Sequence, residues 1–589
     1  MARRKTEKAP KGTVREVLRL LKPYRAKLLF SLLMAAANVA ATLAVPMIFG
    51  GAIDLIAGKG RVDIAGVRSA LIMALLGAAG AAAAAWVMAR FNYHVAYGAV
   101  RDLREKAFGK LHTLPLSYLD AHPSGETLSR IVNDADQFSE GLLLGFTQFF
   151  TGILTIAGTL ALLIRLHPLI AAAVFVLTPL SLFAARFIAR RSYGGFAEQT
   201  RLRGGATADV EEITGGLKTV KAFGREEAAA ARFEKKNDAL AKASLRAIFI
   251  SSVSNPATRF INALVYAAVA LVGAYVVLGR FGGGLSVGML ATALGFANQY
   301  TKPFNEISAV FAELQNALSC FARVRELIAE PDETPDGPQA AALTDVRGAV
   351  ELRDVSFSYT PEKPLLQHLS LKVEPGKTVA IVGPTGCGKT TLINLLMRFY
   401  EPDSGEILLD GVSIAKASRS SLRAACGMVL QETWLKNATV RENICMGRPD
   451  ATEEKMLAAT KRTHADSFIR RLPQGYDTVL GEDGGALSAG QKQLLCITRV
   501  MLASPPILIL DEATSSIDLR TEQRVQRAFD RLMKGRTAFV VAHRLSTVMH
   551  ADKIVVMEAG KIVQTGTHET LLKEGGLYAQ LWTAGCRPQ

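Results

Sequence analysis

Long apolar stretches, separated by alternately short and long polar connections, dominate the first 310 residues of this chain. Six of them reach the length of ~20 residues that a helix needs to cross the hydrocarbon core of a bilayer. We therefore predict six membrane-spanning helices, at 28–49, 67–89, 142–164, 169–189, 248–278 and 285–304. An even number of spans returns the chain to the side of the membrane from which it started.

The connections between these spans differ in length and charge. Three are short and carry few cations (50–66, 165–168 and 279–284), whereas the other two are long and contain the stretches 101–130 and 190–246, which are rich in Arg and Lys. Because positive residues favour the cytosolic side, we predict that the long connections and both termini are cytosolic. Their high content of Ala, Glu, Leu and Lys predicts that the spans continue as helices beyond the lipid.

A short amphipathic segment precedes the first span. Val14, Val17, Leu18 and Leu21 recur at helical spacing, with Arg and Lys on the other faces. This pattern fits a helix lying at the membrane interface, and an ordinary soluble helix fits it equally well. The basic N-terminus lacks an apolar core that ends in a cleavage site, so no signal peptide is predicted.

The distribution of charge indicates which partner to expect, and the cysteines indicate the compartment. The formal net charge is +16 and the mean hydropathy is +0.20, and the cations cluster beside apolar runs. This placement predicts a lipid bilayer, and not nucleic acid, as the partner of the basic residues. The six cysteines form no CxxC pair, which indicates a reduced cytosolic face instead of a disulfide framework.

Composition changes sharply after the last predicted span. Pro, Asp and Gly become frequent over 326–348, as in a linker, and strand-like segments follow. We predict an all-α six-helix transmembrane domain followed by an α/β P-loop NTPase domain. The predicted segments are a basic tail with the amphipathic helix (1–23), the transmembrane domain (24–325), the linker (326–348) and the nucleotide-binding domain (349–589).

The stretch IVGPTGCGKTTL, at 381–392, predicts a phosphate-binding loop. It fits G-x-x-x-x-G-K-[ST], with a predicted strand before it at 378–382 and a helix from about Lys389. Glycines let consecutive backbone N–H groups face a polyphosphate, and the helix N-terminus adds its positive dipole end. We expect Lys389 to bind the β and γ phosphates and Thr390 to give its hydroxyl to Mg²⁺.

A pair of carboxylates follows a second buried strand. The segment PPILILDEATSSID predicts a strand at 507–510 that ends in Asp511 and Glu512, at the strand edge where α/β proteins bind ligands. Asp511 suits the Mg²⁺ shell, and Glu512 is placed to polarise the attacking water. The alternative is two acids that cap a strand at a turn.

The sequence LSAGQKQ, at 487–493, resembles the signature of ATP-binding cassette (ABC) transporters. Its place after GPTGCGKT and before LILDEATSSID and VVAHRLST matches the order of motifs in that family. With six spans followed by one cassette, nearly the whole chain resembles an ABC exporter half-transporter of the multidrug and lipid type. The resemblance implies ATP hydrolysis coupled to transport.

The resemblance also implies individual roles. Tyr359 would stack on adenine, and the alternative is a tyrosine packed in the core. Gln431 would contact Mg²⁺, and His543 would contact the γ phosphate. Asp518 matches a loop that crosses the dimer interface, whereas Ser516 replaces a more usual alanine. The predicted sites comprise a catalytic pair (Glu512, His543), metal ligands (Thr390, Gln431, Asp511) and nucleotide-binding residues (Tyr359, Gly383, Pro384, Thr385, Gly386, Cys387, Gly388, Lys389, Thr390, Thr391, Gln431, Ser488, Gly490, Asp511).

In the family, Ser488 and Gly490 of one cassette serve the nucleotide of the partner, so a second half-transporter is expected. Ala489 stands where glycine is most frequent, and Leu494 and Leu495 follow Gln493 where an arginine is common. These departures resemble the intact halves of heterodimeric exporters and modestly favour a heterodimer over a homodimer.

Three segments resemble the coupling elements of the family. The first is 114–137, with Tyr118 and Asp120 near its tip; the second is 214–233; and 478–485 is placed to receive such a tip. The alternative for all three is solvated helix ends.

We predict export of amphipathic drugs or lipids by alternating access, with ATP and Mg²⁺, in a membrane that we expect to be the bacterial inner membrane. The alternatives are an ATP-gated channel or regulator, a lipid flippase, a peptide exporter, and a soluble cassette ATPase of DNA maintenance, which the six predicted spans oppose. Polar residues within the spans are candidates for the cargo path or for helix packing: Asn38, Gln148, Arg259, Asn262, Asn298 and Gln299.

Overall fold

A computed structural model of the chain describes residues 12–57, 62–279, 284–337, 340–430, 433–481, 484–485, 487–511, 519–541 and 548–585. The chain forms two compact units. The first contains Met1–Thr113 and His122–Glu330, and the second contains Leu114–Ala121 and Pro331–Gln589. A short piece of the N-terminal half therefore belongs to the C-terminal unit.

The described part of the first unit is helical, because its residues are apolar in long runs or rich in Ala, Leu, Glu and Lys. It contains two π-helical turns, at Arg130–Asp134 and Gly145–Phe149, and a 3₁₀ turn at Lys22–Tyr24. Its α-helices are α1 (Thr13–Leu20), α2 (Arg25–Ala57), α3 (Ile64–Leu111), α5 (Ser124–Ser129), α6 (Ala135–Leu144), α7 (Phe150–Leu166), α8 (Pro168–Gly215), α9 (Leu217–Ala222), α10 (Glu226–Ser252), α11 (Ser254–Val277) and α12 (Val287–Ala329). The remaining helix of the N-terminal half, α4 (Leu116–Ala121), belongs to the second unit.

Each of the six predicted spans falls on these helices. Within the described residues, four helical stretches are long and apolar enough to cross a membrane: Lys22–Ile56, Ile64–Leu111, Ser124–Leu166 and Glu226–Val277. Pro168–Leu180 forms a shorter apolar stretch. The count of six spans therefore stays a prediction. Helices α3 and α8 each have 48 residues, well above the ~20 that cross the hydrocarbon core, which supports the prediction that the helices extend beyond the lipid.

Helices α2 and α12 touch at a pair of glycines. A Cβ atom on Gly288 would lie 1.9 Å from the carbonyl oxygen of Gly50, so both positions need a residue without a side chain. The Asp54 carboxylate accepts hydrogen bonds from the Gly288 amide (2.7 Å) and the Ser286 hydroxyl (2.5 Å), which satisfies donors at the start of α12. Helix α2 consequently continues to Ala57, well into the predicted connection at 50–66.

The amphipathic N-terminal segment forms α1, as its spacing predicts. Val17 and Leu21 are buried, whereas Val14 and Leu18 are more than half exposed. The segment therefore packs only part of its apolar face within this chain. An interfacial position for the remainder stays a prediction.

The second unit contains two sheets. Its strands are β1 (Val350–Phe357), β2 (Leu366–Val373), β3 (Thr378–Val382), β4 (Ser404–Leu409), β5 (Val412–Ser413), β6 (Cys426–Val429), β7 (Ile507–Asp511), β8 (Thr537–Val541), β9 (Lys553–Glu558) and β10 (Lys561–Gly566). An antiparallel sheet has the order β2-β1-β4-β5, and the larger sheet has the order β10-β9-β3-β8-β7-β6. In the larger sheet β9, β3, β8, β7 and β6 run parallel.

Helices cover the larger sheet, as expected for parallel strands that are buried on both faces. They are α13 (Lys389–Leu396), α14 (Arg419–Ala425), α15 (Val440–Cys445), α16 (Glu453–Arg462), α17 (Asp466–Ile469), α18 (Ala489–Ala503), α19 (Leu519–Met533), α20 (His568–Glu574) and α21 (Leu577–Gly585). Burial along β3, β7 and β8 is nearly continuous. The prediction of an α/β domain is confirmed.

The chain that follows α12 is held on the second unit by an ion cluster, which we call the linker cluster. Asp336 bonds the backbone N–H of Arg419 (2.9 Å) and lies 2.9 Å from its guanidinium and 3.4 Å from that of Arg398. Glu333 pairs with Arg423 at 2.8 Å. The predicted linker at 326–348 thus begins inside α12, which ends at Ala329, and continues as chain anchored to the second unit.

Candidate functional site

The predicted phosphate-binding loop leaves the carboxyl end of β3. This strand lies inside the larger sheet, between β9 and β8, and its residues from Val379 to Ile381 are fully buried. Asp552 anchors the other end of β3 by accepting the Thr378 N–H at 2.9 Å. The loop therefore begins at the carboxyl end of a fixed strand, and α/β proteins bind their ligands at the carboxyl ends of their parallel strands.

Two glycines of the loop are required by close approach of other atoms. A Cβ atom on Gly383 would lie 2.2 Å from the backbone oxygen of Met557 on β9. Gly388 has a φ of +100°, and a Cβ atom there would lie 2.4 Å from Leu366. A residue with a side chain would clash at either position, whereas glycine fits without strain. The loop can therefore fold tightly over the start of α13.

Lys389 is the first residue of α13 and turns back over the loop. Its Nζ donates to the carbonyl oxygens of Gly383 (2.8 Å) and Pro384 (2.9 Å) and lies 3.8 Å from Cys387 Sγ. Only part of its side chain is buried, whereas Cys387 is fully buried. The ammonium group is thus held at the mouth of the loop, next to exposed Pro384 and Thr385.

The other predicted nucleotide contacts of this region flank the loop. Thr390 is exposed on the first turn of α13, and the neighbouring Thr391 is buried. The Tyr359 and Thr391 hydroxyls lie 3.2 Å apart, and the Tyr359 side chain is 48% exposed. Tyr359 lies beyond the end of β1. This exposure opposes the alternative of a core tyrosine and brings an aromatic face close to the loop.

Asp511 is the last residue of β7, so it lies at the carboxyl ends of the parallel strands, as the loop does. The strand order β3-β8-β7 places one strand between them, which corresponds to roughly 10 Å. Asp511 pairs with Val541, the last residue of β8. The predicted residues Gln431, Glu512, Ser516, Asp518 and His543 lie outside the described residues.

The predicted signature begins α18. Ser488 caps this helix: its N–H donates to the Gln491 side chain at 2.9 Å, and its hydroxyl accepts the Gln491 N–H at 3.4 Å. Ser488 and Ala489 are exposed, and Gly490 is buried. The N-terminus of α18 therefore reaches the surface at Ser488 and Ala489, and a helix N-terminus can bind a phosphate oxygen.

The arrangement fits a nucleoside triphosphate with a divalent cation. The loop offers N–H groups and one ammonium for phosphate oxygens, and Tyr359 offers an aromatic face for a base. Thr390 and Asp511 offer the oxygen ligands that Mg²⁺ prefers. Among the described residues, no group of three or more His, Cys, Asp or Glu side chains gathers into a metal site of its own.

Helix α4 contains Tyr118 and Asp120 from the first predicted coupling segment, and it belongs to the same unit as the cassette. The Tyr400 hydroxyl donates a hydrogen bond to the Asp120 carboxylate. Sequence reasoning missed Tyr400, because no motif marks it and its partner lies 280 residues away. The second predicted coupling segment, 214–233, contains α9 and belongs to the helical unit.

The polar residues of the predicted spans differ in how far they are exposed. Gln148, Arg259 and Asn298 are exposed, whereas Asn38, Asn262 and Gln299 are partly buried. The Thr42 hydroxyl lies 3.5 Å from the Asn38 side chain, within the same helix. Their role in a cargo path stays a prediction.

Two family models match the chain. The model described as ABC transporter transmembrane region matches residues 28–304, and the model described as ABC transporter matches residues 366–515. The second match contains the loop, Lys389, the first turn of α18 and Asp511. The two matches fall on the helical unit and on the cassette.

Relatives match over nearly the whole chain. A fatty acid ABC transporter ATP-binding/permease protein of Mycobacterium tuberculosis is 43% identical over 90% of this chain and 83% of its own length. A putative multidrug export ATP-binding/permease protein of Bacillus subtilis is 35% identical over 97% of this chain and 99% of its own length.

A solved structure is similar as well. The structure of a bacterial Atm1-family ABC exporter with ATP bound has a TM-score of 0.78 and 32% identity, covering 96% of this chain and 99% of that one. The predicted resemblance is therefore confirmed across both parts of the polypeptide. The chain belongs to the ABC transporter family, as an exporter whose transmembrane region and transport-coupled ATPase lie in one polypeptide.

Proposed function

We propose that this chain is one half of a dimeric exporter that moves amphipathic small molecules or lipids out of the cytoplasm or the inner leaflet by alternating access. ABC exporters act as dimers in a membrane. The proposed location is the bacterial inner membrane, with both termini in the cytoplasm, and it is supported by the bacterial relatives and by the basic long connections.

The observation that carries this proposal is the position of Lys389. Its ammonium bonds to the Gly383 and Pro384 carbonyls at the mouth of the loop, where its hydrogen bonds can be exchanged for those of a phosphate. The bonds from the ammonium to these carbonyls join a charged donor to neutral acceptors, whereas a phosphate oxygen also carries negative charge, so its bond to the ammonium is shorter and stronger. Phosphate binding is therefore able to displace the carbonyls and hold Lys389 in a second position.

The proposed ATP site is shared between two cassettes. This chain supplies Tyr359, the loop from Gly383 to Thr391 and Asp511 to one nucleotide, and its Ser488 and Gly490 serve the nucleotide bound by the facing cassette. The exposed first turn of α18 supports this sharing, since its N–H groups stabilise negative charge that comes from outside the chain.

Hydrolysis removes the phosphate that joins the two cassettes. In our proposal Glu512 orients and deprotonates the attacking water, His543 contacts the γ phosphate, and Gln431 and Asp518 complete the site at the interface. Mg²⁺, bound by Thr390, Gln431 and Asp511, would neutralise charge on the phosphates. Loss of the γ phosphate separates the cassettes, and the membrane helices return to their first state.

The proposed cargo is amphipathic. The Mycobacterium tuberculosis relative is named a fatty acid transporter and a Bacillus subtilis relative a putative multidrug exporter, and both classes combine an apolar body with a polar group. Isolated polar residues in apolar helices suit such molecules. A lipid flippase and a peptide exporter are the alternatives within transport.

An ATP-gated channel or regulator is the alternative outside active transport. ATP-dependent accumulation of a solute above its external concentration, measured in inside-out vesicles, separates the two, because a channel only lets the solute equilibrate. A soluble ATPase of DNA maintenance is opposed by the family match of residues 28–304 to a transmembrane region.

A heterodimer is proposed over a homodimer, and the support is the exposed residue Ala489 in the signature. Leu494 and Leu495 are each 1% exposed and pack in a core, so they leave the cassette surface unchanged. Co-expression with a half-transporter that lacks the equivalent of Glu512 should raise ATPase activity. Full coupled transport by this chain alone would contradict the heterodimer.

The experiment that tests the function uses proteoliposomes that contain the full-length chain together with the partner half-transporter found by co-expression, and a panel of long-chain fatty acids, lipids, cationic amphipathic drugs and peptides. We expect at least one amphipathic class to stimulate ATPase activity and to accumulate inside when ATP is added outside. Lys389→Ala serves as the transport-dead control. Wild-type hydrolysis without accumulation of any member of the panel would oppose export.

A further inference from the structure

Three aromatic rings pack together beside the proposed adenine position. The ring centroids of Tyr359 and Tyr400 lie 5.0 Å apart at 90°, those of Phe357 and Tyr400 5.5 Å apart at 64°, and those of Phe357 and Tyr359 5.0 Å apart at 84°. Each edge-to-face contact stabilises the arrangement by about 0.5–1.5 kcal/mol beyond the area that it buries. The orientation of the Tyr359 ring therefore depends on Tyr400.

Tyr400 has a second contact, on a different element. Its hydroxyl donates to the carboxylate of Asp120 on α4, and a bond between a hydroxyl and an ionised acceptor is stronger than a neutral one. Burial and the bond to Asp120 raise the pKa of Tyr400, so the phenol keeps its proton near neutral pH and remains a donor.

Helix α4 is connected closely to the membrane region. Only residues 112–115 separate it from α3, whose N-terminal part includes a predicted span, while α4 itself belongs to the cassette unit. The ring of Tyr400 thus contacts Tyr359, on which adenine is proposed to stack. Its hydroxyl contacts α4, which is joined by a short connection to the predicted membrane helix α3.

The two parts of this side chain have separable uses. The ring suffices for the contacts with Phe357 and Tyr359, and a phenylalanine would keep them. The hydroxyl contributes the bond to α4. If Tyr400 were only a packing residue, removal of the hydroxyl would leave the response of the membrane helices to ATP unchanged.

We propose that Tyr400 is a positioning residue that links adenine binding on Tyr359 to the position of α4 through its hydrogen bond to Asp120. The proposal rests on the proposed role of Tyr359. Adenine stacking restricts the Tyr359 ring, the edge-to-face contact transmits this restriction to Tyr400, and the bond to Asp120 transmits it to α4.

The test measures ATP binding and the membrane response separately. Full-length wild type, Tyr400→Phe, Asp120→Ala and the double variant are reconstituted in lipid nanodiscs. The ketone side chain p-acetylphenylalanine replaces Val62 and Leu278, which lie beside α3 and α11 and are 49% and 73% exposed, and is coupled to spin labels. Pulsed electron paramagnetic resonance gives the ATP-induced distance change, and equilibrium dialysis with labelled ATP gives the dissociation constant.

A matched control removes another tyrosine hydroxyl from the same cassette. The Tyr578 hydroxyl lies 2.7 Å from His568 Nδ1, away from the aromatic cluster. Tyr578→Phe therefore loses a comparable bond without touching Tyr359 or α4. We expect it to match the wild type in both measurements.

We expect Tyr400→Phe and Asp120→Ala to bind ATP within about threefold of wild type. The fraction of molecules that reach the ATP-shifted distance should fall by at least about fivefold in each, the lower end of ordinary coupling between sites. The double variant should be no worse than the single variants, because all three break one bond.

A wild-type distance change in both single variants, or additive losses in the double variant, would overturn the proposal. If Tyr400→Phe loses its thermal unfolding transition, Asp120→Ala decides the question, because it removes the acceptor and Asp120 lies on α4, outside the cassette strands. A wild-type chain that binds no ATP would instead refute the proposed function, and this proposal would fall with it.

Discussion

At the scale of single residues, the site depends on how one ammonium group is held. Lys389 was identifiable from the sequence, because the motif fixes both the loop and the strand before it. Its bonds to the Gly383 and Pro384 carbonyls were not, because they arise from the fold of the loop. The close approach of Met557 to Gly383 is likewise a consequence of strand order.

Lys389→Ala removes the ammonium group and should weaken ATP binding by about 10- to 100-fold, as expected for the loss of bonds worth about 1.5–3 kcal/mol. Isothermal titration with ATP measures the change. Lys377→Ala is the control, because Lys377 makes a surface ion pair with Asp552 and such pairs contribute little. Equal ATP affinity in Lys389→Ala and wild type would exclude the proposed phosphate contact.

Glu512→Gln should retain ATP binding and lower the turnover number by about 10²- to 10⁴-fold, because a positioned carboxylate base contributes about that much to proton transfer. The measurement is steady-state ATPase activity, with ATP affinity as the internal control. Unchanged turnover would remove Glu512 from the catalytic pair.

At the scale of elements, strands and helices next to motifs were predictable. The bounds of β3 are those predicted from the sequence, and β7 extends one residue further, to Asp511. The contacts that bring distant elements together were not predictable. The pairing of Gly50 with Gly288 joins residues that are far apart in the chain, and a glycine in an apolar helix does not indicate which residue it contacts.

Gly50→Ala should destabilise the packing of α2 on α12, because its Cβ would lie 2.0 Å from the Thr292 hydroxyl oxygen and 2.5 Å from the Gly288 carbonyl oxygen. We expect a loss of about 1–3 kcal/mol, the range for overpacked sites. Gly51→Ala is a matched control, since nothing lies within 4 Å of its Cβ and alanine favours helix. Thermal unfolding in detergent should separate the two, and equal midpoints would refute this contact.

Asp336→Ala should destabilise the cassette by about 1–3 kcal/mol, because it leaves the buried guanidinium groups of Arg398 and Arg419 with fewer acceptors. Asp450→Ala, at an exposed pair with Arg448, should change stability by less than about 0.5 kcal/mol. Denaturant unfolding monitored by fluorescence of the full chain measures both. Equal effects would show that the linker cluster does not stabilise the cassette.

The linker cluster also predicts an acid limit. The hydrogen bond from the Arg419 backbone, followed by the charges of Arg419 and Arg398, holds the pKa of Asp336 below its usual value. A depressed pKa stabilises the fold above the unfolded-state value of about 3.9, and this stability is lost as the pH falls through the lower folded value. Between pH 7 and 5 the stability difference between wild type and Asp336→Asn should therefore stay constant, and it should shrink below about pH 4.

At the scale of the whole molecule, the sequence sufficed to predict the family and the order of its parts, since four motifs in series and long apolar runs carry that information. The resemblance marked 114–137 as a coupling element, but it did not predict that Leu114–Ala121 is the part that joins the cassette unit or that Tyr400 contacts Asp120, because these depend on the folded contacts. The cargo also escapes prediction, since the polar residues of the spans serve helix packing and transport equally well.

The central claim is that ATP held jointly by two facing cassettes drives the change in the membrane helices. The most direct measurement is a structure of the dimer in nanodiscs with ATP, with Glu512→Gln to prevent hydrolysis. We expect the Ser488 hydroxyl and the Gly490 N–H within about 3 Å of the γ phosphate that is bound by the phosphate-binding loop of the facing cassette. A nucleotide-bound dimer that keeps both groups far from that phosphate would contradict it.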